Sequence, residues 1–204
     1  QQMLEGIHAF APTFVKPNTQ VFDLGCSLGS ASLAVIDAVD HADVSLSAVD
    51  MSEPMLVQAR NRLSAYKTKV NVSFQLADVC EIDISNASLV VLNLTLQFIE
   101  PSKREALIQK IYDGLNANGA LIVSEKVRFE QLEVQSFLDR QQMDFKRKQG
   151  YSDLEIAQKR SALENVMKLD TVSQHLTRFS QAGFEASSLW YQNLNFCSFI
   201  AIKN

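Results

Sequence analysis

The sequence predicts an α/β fold with a mostly parallel sheet, and three observations support this prediction. Apolar strand candidates alternate with helical stretches along the first 125 residues, which is typical of parallel sheets with right-handed crossovers. A glycine-bearing turn follows the first strand, and a carboxylate closes the second. The 204 residues, of which 47% are hydrophobic, can bury one sizeable core, so we expect a single domain over residues 1–204.

The predicted helices and strands follow one another in a simple order. Apolar residues at helical spacing predict a first helix over Gln1–Phe14. Strands are predicted at Gln20–Leu24, Ser45–Asp50, Asn71–Leu76, Leu89–Leu94 and Ala120–Glu125. The helices between them are predicted near Ser30–Val39, Pro54–Tyr66 and Lys103–Leu115, and a turn at 116–119 follows the last of them.

The alternating pattern stops after Glu125. Residues 127–169 are charged and helical in pattern, with a break at Gly150–Ser152, and we expect them to form an inserted helical layer over the ligand edge of the sheet. The elements predicted after this insertion are a helix at Val172–Ala182, stopped by Gly183, and strands at Phe184–Tyr191 and Phe196–Ile202. The two strands predict an antiparallel hairpin, which would complete a sheet of seven strands.

Charge and composition bear on the partners, the location and the thiols of the protein. The formal net charge is −4, whereas a protein that binds a nucleic-acid duplex usually shows a broad basic face, so the charge argues mildly against direct nucleic-acid binding. Basic residues concentrate between Lys126 and Arg178, which better suits a small anionic ligand. No apolar run approaches the roughly 20 residues of a membrane span, so we expect a soluble, cytoplasmic protein. Cys26, Cys80 and Cys197 are irregularly spaced, which predicts reduced thiols and no metal site.

The turn from Asp23 to Gly29 reads Asp-Leu-Gly-Cys-Ser-Leu-Gly. It places backbone N–H groups at the start of a helix, where a ligand can approach closely. Ser27 stands where a dinucleotide fingerprint has its second glycine, which disfavours a dinucleotide. The same residues match G-x-S-x-G, which would make Ser27 the nucleophile of a hydrolase with His41 or His175 as its base. A nucleoside site, a hydrolase and a purely structural turn are the alternatives.

Polar residues also mark the ends of the next three strands. Asp50 closes the second strand, where a carboxylate can accept hydrogen bonds from ribose hydroxyls; the alternative is an N-cap, a role that also suits Ser52. Asp78 follows the third strand and could reach an adenine amino group while Val79 offers its N–H; the alternative is a solvated turn. Asn93 interrupts the apolar fourth strand, and because an unpartnered buried amide is costly, a ligand contact is favoured.

Together these motifs resemble the class I S-adenosylmethionine (SAM)-dependent methyltransferases, which implies a Rossmann-like fold. Nearly the whole chain is also similar to the carboxy-S-adenosyl-L-methionine (carboxy-SAM) synthase family. The segments that carry this similarity are Val21–Gly29, Val90–Phe98, Leu121–Lys126, Asp144–Arg147, Gly150–Ser152 and Gln158–Val166. Gln142 and Met143 replace a histidine pair that is common in that family.

The resemblance implies a reaction and a set of binding residues. SAM and prephenate would give carboxy-SAM and phenylpyruvate, in the pathway that makes uridine 5-oxyacetic acid at the tRNA wobble position. SAM would be a substrate, and no metal would be needed. The family pattern assigns the nucleoside and methionine parts of SAM to Gly25, Cys26, Ser27, Asp50, Met51, Asp78, Val79 and Asn93.

Two further residues are candidates for binding the carboxylated molecules. The resemblance implies that Arg160 is the catalytic residue, pairing with the new carboxylate by reaching across a homodimer. On spacing alone, Arg160 is one of many insertion charges that face water. Tyr151 is a candidate prephenate contact, with a packed aromatic as the alternative. The competing functions are an ordinary small-molecule methyltransferase and a non-catalytic SAM-binding module.

Overall fold

The computed structural model describes residues 1–164 and 166–204, and the side chains of residues 1–158 and 166–204. Within these ranges the helices are α1 Gln2–Phe14, α2 Ser30–Ala38, α3 Glu53–Leu63, α4 Pro101–Gly114, α5 Leu132–Lys148, α6 Asp153–Glu164 and α7 Val172–Gln181. The strands are β1 Gln20–Leu24, β2 Ser45–Asp50, β3 Asn71–Leu76, β4 Ala87–Asn93, β5 Leu115–Lys126, β6 Ala186–Asn193 and β7 Phe196–Ile202. A short 3₁₀ helix, Leu96–Phe98, lies between β4 and α4.

In the described part of the chain, seven strands form one sheet in the order β3-β2-β1-β4-β5-β7-β6. The strands from β3 to β5 pair in parallel, while β7 pairs antiparallel with both β5 and β6. The predicted fold class, a mostly parallel Rossmann-like sheet with a C-terminal antiparallel hairpin, is therefore confirmed. The strand order reverses beside β1, and the crevice at such a reversal is where sheets of this type bind ligands.

Two apolar layers cover the sheet, one on each face. The alternation along β4 shows the arrangement, because Val90 and Leu92 pack with residues of α4 and α7 while Leu89 and Val91 pack with residues of α1 and α2. All four side chains are fully buried. Both faces of the central strands are therefore covered, which explains why β4 is a continuous hydrophobic run in the sequence.

The fifth strand is longer than predicted, because the expected turn forms a bulge within it. β5 begins at Leu115, well before the predicted start at Ala120, and its pairing with β4 shifts register between the two. Asn118 has the left-handed conformation of a turn residue, with φ 63°, and its N–H donates to the carbonyl of Lys203 at 2.7 Å. The turn at 116–119 therefore exists, but hydrogen bonds to the residue after β7 hold it in the sheet.

The last hairpin is shifted along the chain relative to the prediction. Gly183 follows α7 with φ 107°, and the N–H of Phe184 donates back to a carbonyl in the last turn of that helix at 3.1 Å. Phe184 therefore completes the helix cap, and β6 begins only at Ala186. The connecting turn consists of Leu194 and Asn195, and it is shorter than predicted.

The predicted insertion contains two helices next to this hairpin. The break between α5 and α6 lies at Gln149–Ser152, one residue longer than the predicted Gly150–Ser152, and Gly150 takes a positive φ of 90° there. The buried side chain of Asn195 donates to Asp139 and Gln142 of α5, at 3.3 Å in both cases. The insertion therefore contacts the β6–β7 turn, at the end of the sheet where β5 finishes.

Two predictions from composition concern the state of the cysteines and the presence of a membrane span. Cys26, Cys80 and Cys197 are free thiols, as their irregular spacing predicts. Burial raises the pKa of Cys26, and it raises the pKa of Cys197 to about 12, so both thiols stay protonated. Across the described ranges, no helix is long and apolar enough to cross a membrane.

Candidate functional site

A cleft of about 480 Å³ opens at the carboxyl ends of the strands around β1. The segment 23–31, the loops after β2 and β3, and the segment 93–99 form its walls. Its volume is typical of small-molecule sites, and its position is where this strand order places ligands. The cleft brings together all eight residues that the family resemblance assigns to SAM: Gly25, Cys26, Ser27, Asp50, Met51, Asp78, Val79 and Asn93.

Two glycines allow the turn after β1 to fold beneath the cleft. Gly25 and Gly29 have positive φ angles of 78° and 72°. The N–H of Gly25 donates to the carbonyl of Val49 at 2.8 Å, which ties the turn to β2. A Cβ atom on Gly25 would lie 2.4 Å from the side chain of Thr95, so this position has no room for a side chain. The turn therefore presents bare backbone to the cleft.

Asp50 connects this turn to the end of β2. One of its carboxylate oxygens accepts the N–H of Ser27 at 2.8 Å, and the other accepts the N–H of Ser52 at 2.9 Å. Ser27 has φ 49°, an uncommon conformation that the Asp50 hydrogen bond stabilises. Ser52 is the N-cap of α3, as predicted, but its side chain makes no capping bond. Because a carboxylate oxygen can accept more than one hydrogen bond, Asp50 retains capacity for ligand hydroxyls.

The opposite side of the cleft follows β3 and β4. Asp78 accepts the N–H of Cys80 at 2.9 Å, which is the turn hydrogen bond expected of a structural aspartate. Its second carboxylate oxygen lies 3.9 Å from Lys103 Nζ. Asn93 is the last residue of β4 and is partly buried at the cleft. Asp78 therefore combines a turn hydrogen bond with a place in the cleft lining.

Asp23 is a cleft residue that the sequence analysis did not single out. Its Oδ2 atom accepts the N–H of Ser32 at 2.8 Å and the hydroxyl of Ser32 at 2.6 Å. Its Oδ1 atom is buried and has no hydrogen-bond partner among the described residues. Burial raises the pKa of Asp23 to about 6. A buried acceptor without a donor fits a cationic ligand group, and the sequence signal was a carboxylate inside an apolar strand.

Glu125 lies beneath the cleft wall at the end of β5, and it too was not singled out. Its fully buried carboxylate accepts the N–H groups of Thr95, Leu96 and Gln97 at 3.0, 2.7 and 3.1 Å. Burial raises the pKa of Glu125 to about 8, although these three hydrogen bonds oppose the shift. The available signal was an acidic residue at the end of an apolar strand, the pattern that identified Asp50.

The loop above Glu125 begins with a strained residue. Leu94 has φ 61°, a conformation that is costly for a residue with a Cβ atom, and it ends β4 one residue earlier than predicted. Its N–H donates to the carbonyl of Ser124 at 2.7 Å. Leu94 also lines the cleft, and strained residues of this kind concentrate at ligand sites.

The two candidates for substrate carboxylate binding lie in the insertion. Tyr151 lies at a second cavity, of about 300 Å³, together with Phe145, Ile156 and Phe196. This lining is mostly apolar, so the structure leaves both the packed-aromatic and the substrate interpretations of Tyr151 open. Arg160 belongs to α6, and its side chain lies outside the described residues.

No histidine is among the described residues that line the cleft, so the hydrolase interpretation lacks its base there. The hydroxyl of Ser27 lies 3.9 Å from Met55 Sδ. His175 is 2% exposed, with its ring 5.0 Å from that of Phe199, and burial lowers its pKa to about 4. His175 is therefore a core residue of α7 and does not line the cleft. Among the described residues, no group of three His, Cys, Asp or Glu side chains could hold a metal ion.

Comparison with known proteins identifies the family. A family model described as a methyltransferase domain matches residues 21–119. A carboxy-S-adenosyl-L-methionine synthase of Shewanella baltica (strain OS155) is 52% identical over 202 residues, covering 99% of this chain and 83% of that protein. The chain belongs to the carboxy-SAM synthase family. A carboxy-SAM synthase of Shewanella sp. (strain MR-7) is 54% identical, with the same coverage.

Membership of the carboxy-SAM synthase family makes this chain an enzyme and excludes the hydrolase alternative. Solved structures share the fold at much lower identity. Magnesium protoporphyrin IX methyltransferase from Synechocystis PCC 6803, solved with bound SAM, has a TM-score of 0.65 at 15% identity, covering 100% of this chain and 79% of that one. A possible exported protein from Bordetella parapertussis has a TM-score of 0.71 at 15% identity, covering 99% and 67%. This chain therefore has the class I methyltransferase fold.

Proposed function

We propose that this enzyme converts SAM and prephenate to carboxy-SAM and phenylpyruvate, and that the product serves the modification of the tRNA wobble uridine to uridine 5-oxyacetic acid. The observation that carries the proposal is the 52% identity to carboxy-SAM synthases over 99% of the chain. The cleft of about 480 Å³ supports it, because it lies where a class I fold binds its nucleoside. The family resemblance is the reason for naming prephenate as the source of the carboxyl group.

In this proposal SAM lies in the cleft and different strand ends bind its parts. Asp50 accepts the ribose hydroxyls, and Asp78 and Val79 contact the adenine. The other proposed contacts to SAM are Gly25, Cys26, Ser27, Met51 and Asn93. The unpartnered Oδ1 atom of Asp23 fits the α-ammonium group of the methionine part, which would supply both the missing donor and a compensating charge.

The proposed reaction forms a C–C bond at the methyl carbon of SAM. The sulfonium stabilises a carbanion on that methyl group after a proton leaves, and the carbanion captures the CO2 that prephenate releases. The released proton and the hydroxide that leaves the prephenate ring form water as the ring becomes aromatic. The enzyme contributes by holding the two reactants together and by excluding water, which would otherwise protonate the carbanion.

The carboxylates of prephenate and carboxy-SAM require cationic partners. We assign this role to Arg160, acting as the catalytic residue on the cleft of the second subunit of a homodimer, because a guanidinium binds a carboxylate through two parallel hydrogen bonds. Ten of the 19 basic residues lie between Lys126 and Arg178, which supports an anion-binding insertion. Tyr151 is proposed as a prephenate contact.

The proposal covers the whole chain. Residues 1–204 would act as one SAM-binding domain, with residues 127–169 as its helical insertion. We propose that the enzyme works in the cytoplasm, needs no metal and makes no direct contact with tRNA. The net charge of −4 supports the last point, because tRNA-binding surfaces are usually basic.

Mass spectrometry of the products after incubation with SAM and prephenate tests this function. We expect carboxy-SAM and phenylpyruvate in equal amounts, and an Arg160→Ala variant that loses activity about 100-fold but still binds S-adenosylhomocysteine (SAH). Formation of SAH with a methylated acceptor would instead indicate an ordinary methyltransferase. Recovery of unchanged SAM and prephenate would indicate a non-catalytic binding module.

A further inference from the structure

The wall of the cleft between Asn93 and Ile99 is supported by a buried carboxylate. Glu125 accepts three consecutive backbone N–H groups at the start of the 3₁₀ helix Leu96–Phe98. The N-cap residue of this helix, Thr95, makes no capping bond with its own side chain. Glu125 therefore supplies the cap from a neighbouring strand, and it fixes the start of the helix relative to β5.

The wall from Asn93 to Ile99 forms one side of the cleft. Five of its residues line the cleft: Asn93, Leu94, Thr95, Phe98 and Ile99. The Thr95 side chain fills the space that a Cβ atom on Gly25 would occupy, and its hydroxyl lies 3.5 Å from the Gly25 carbonyl. The wall and the glycine turn therefore meet at this contact. A displacement of the wall would change the shape of the cleft directly.

The same short helix is hydrogen-bonded to both ends of the insertion. The side-chain carbonyl of Gln97 accepts the N–H of Lys126 at 3.1 Å, just before the insertion begins. The backbone carbonyl of Gln97 accepts the N–H of Lys168 at 2.8 Å, where the insertion ends. Glu125 also accepts the N–H of Gln97 itself. It therefore helps to fix both ends of the insertion, after β5 and before α7.

A buried carboxylate is a costly way to end a β-strand. Removing the charge from water is unfavourable, and the three hydrogen bonds offset only part of that cost, since burial still raises the pKa of Glu125 to about 8. A glutamine of the same shape could still accept the N–H groups of Thr95 and Leu96, but its amide NH₂ would face the N–H of Gln97. Both oxygens of the Glu125 carboxyl group can accept these N–H groups, whether or not the group carries a proton, whereas an amide offers only one acceptor oxygen.

We propose that Glu125 is a positioning residue of the SAM site, whose carboxylate sets the cleft wall at Leu94 and Thr95 and holds the insertion against it. This inference rests on the proposed function, in which the cleft binds SAM. Glu125 touches neither substrate, because it acts through the backbone of residues 95–97.

Two variants test the proposal. Glu125→Gln keeps the size of the side chain and places an NH₂ group against the N–H of Gln97. Ser198→Ala is the matched control, because it removes a buried hydroxyl that lies 2.7 Å from the Ser124 hydroxyl, one strand away, without touching the wall. SAH affinity measured by calorimetry, steady-state kinetics with SAM and prephenate, and thermal midpoints should be compared for both variants and the wild type.

We expect Glu125→Gln to weaken SAH binding about tenfold and to raise KM for SAM similarly, while kcat changes less than about threefold. Ser198→Ala should lower the thermal midpoint but keep SAH affinity within about twofold of the wild type. Wild-type affinity in Glu125→Gln, or an equal loss in both variants, would overturn the inference alone. A wild-type enzyme that binds no SAH would overturn the proposed function and the inference with it.

Hydrogen exchange in the wild-type enzyme provides a measurement that needs no variant. If the wall is set for SAM, then SAH should slow exchange of the backbone amides of residues 94–98 by about tenfold or more. Unchanged exchange in this segment, in an enzyme shown to bind SAH, would overturn the inference.

Discussion

Asp23 is a residue at which stability and ligand binding oppose each other. Ser32 occupies one of its carboxylate oxygens, while the other is buried at the cleft without a partner among the described residues. An unpaired buried oxygen costs free energy in the empty enzyme, and a ligand ammonium group would recover that cost. Asp23 therefore lowers the stability of the ligand-free enzyme and favours ligands that carry an ammonium group.

Replacing Asp23 with asparagine should remove a pH dependence of stability. Because burial raises the pKa of Asp23 from 3.8 to about 6, the folded state keeps a proton that the unfolded chain releases. This contribution is full below pH 3.8 and is lost as the pH rises to about 6, a change of about 3 kcal/mol. Urea unfolding measures the free energy of unfolding of both proteins between about pH 4 and 7. As the pH rises, the value for the wild type should fall by about that amount relative to the value for Asp23→Asn. A constant difference across this range would contradict the assignment.

Gly25→Ala should weaken SAH binding strongly. Gly25 has φ 78°, and a Cβ atom there would displace Thr95 from the cleft wall, so we expect affinity to fall by at least about tenfold. Gly150→Ala is the matched control, because Gly150 has φ 90° and a Cβ atom there would meet nothing within 4 Å. Both variants carry a similar backbone strain of roughly 1 kcal/mol. Equal affinity losses, measured by calorimetry, would show that strain rather than the Thr95 contact is responsible.

The elements show why the sequence predicts some features of the site and not others. Asp50, Asp78 and Asn93 could be predicted because polar groups stand out at the ends of apolar strands, and because parallel strands end at one edge of the sheet. Asp23 and Glu125 show the same pattern, but their significance depends on which groups cover them, and this follows from packing. The bulge in β5 and the late start of β6 were missed because hydrogen bonds to other segments decide them.

Three elements meet at Asp170, which precedes α7. Its Oδ2 atom accepts hydrogen bonds from Arg104 of α4 at 2.7 Å and from Arg178 of α7 at 2.8 Å, and both guanidinium groups are buried. Burial alone would raise the pKa of Asp170, but the hydrogen bonds and charges of the two arginines bring it below its ordinary value. This carboxylate therefore joins the end of the insertion to the helices on one face of the sheet.

Asp170→Asn should destabilise the enzyme by about 3 kcal/mol, because it leaves two buried guanidinium groups without their shared counter-charge. Glu105→Gln is the matched control, since Glu105 also pairs with Arg178, at 3.2 Å, but its side chain is 58% exposed. The control should cost less than about 1 kcal/mol. Urea unfolding of both variants measures the difference, and similar costs would contradict the importance of the buried pair.

For the whole molecule, the two proposed parts of the active site lie in different regions of the chain. Segments between residues 23 and 99 form the SAM cleft, whereas the proposed carboxylate-binding residue, Arg160, belongs to the insertion between β5 and α7. Such a division allows one subunit to supply the cleft and another the arginine, as the proposed homodimer requires. Two variants that each disable one part should then complement each other.

Mixing Gly25→Ala and Arg160→Ala subunits tests this arrangement, because each variant alone should keep about a tenth or less of the wild-type activity at SAM concentrations well below the wild-type KM. In a mixed dimer, the intact cleft of the Arg160→Ala subunit would meet the intact arginine of the Gly25→Ala subunit. Random exchange makes half of the dimers mixed, each with one complete site, so activity should recover to about a quarter of the wild-type value. If Arg160 served its own subunit, no mixed dimer would hold a complete site and the mixture would keep only that low activity. Light scattering that shows a monomer would contradict the homodimer itself.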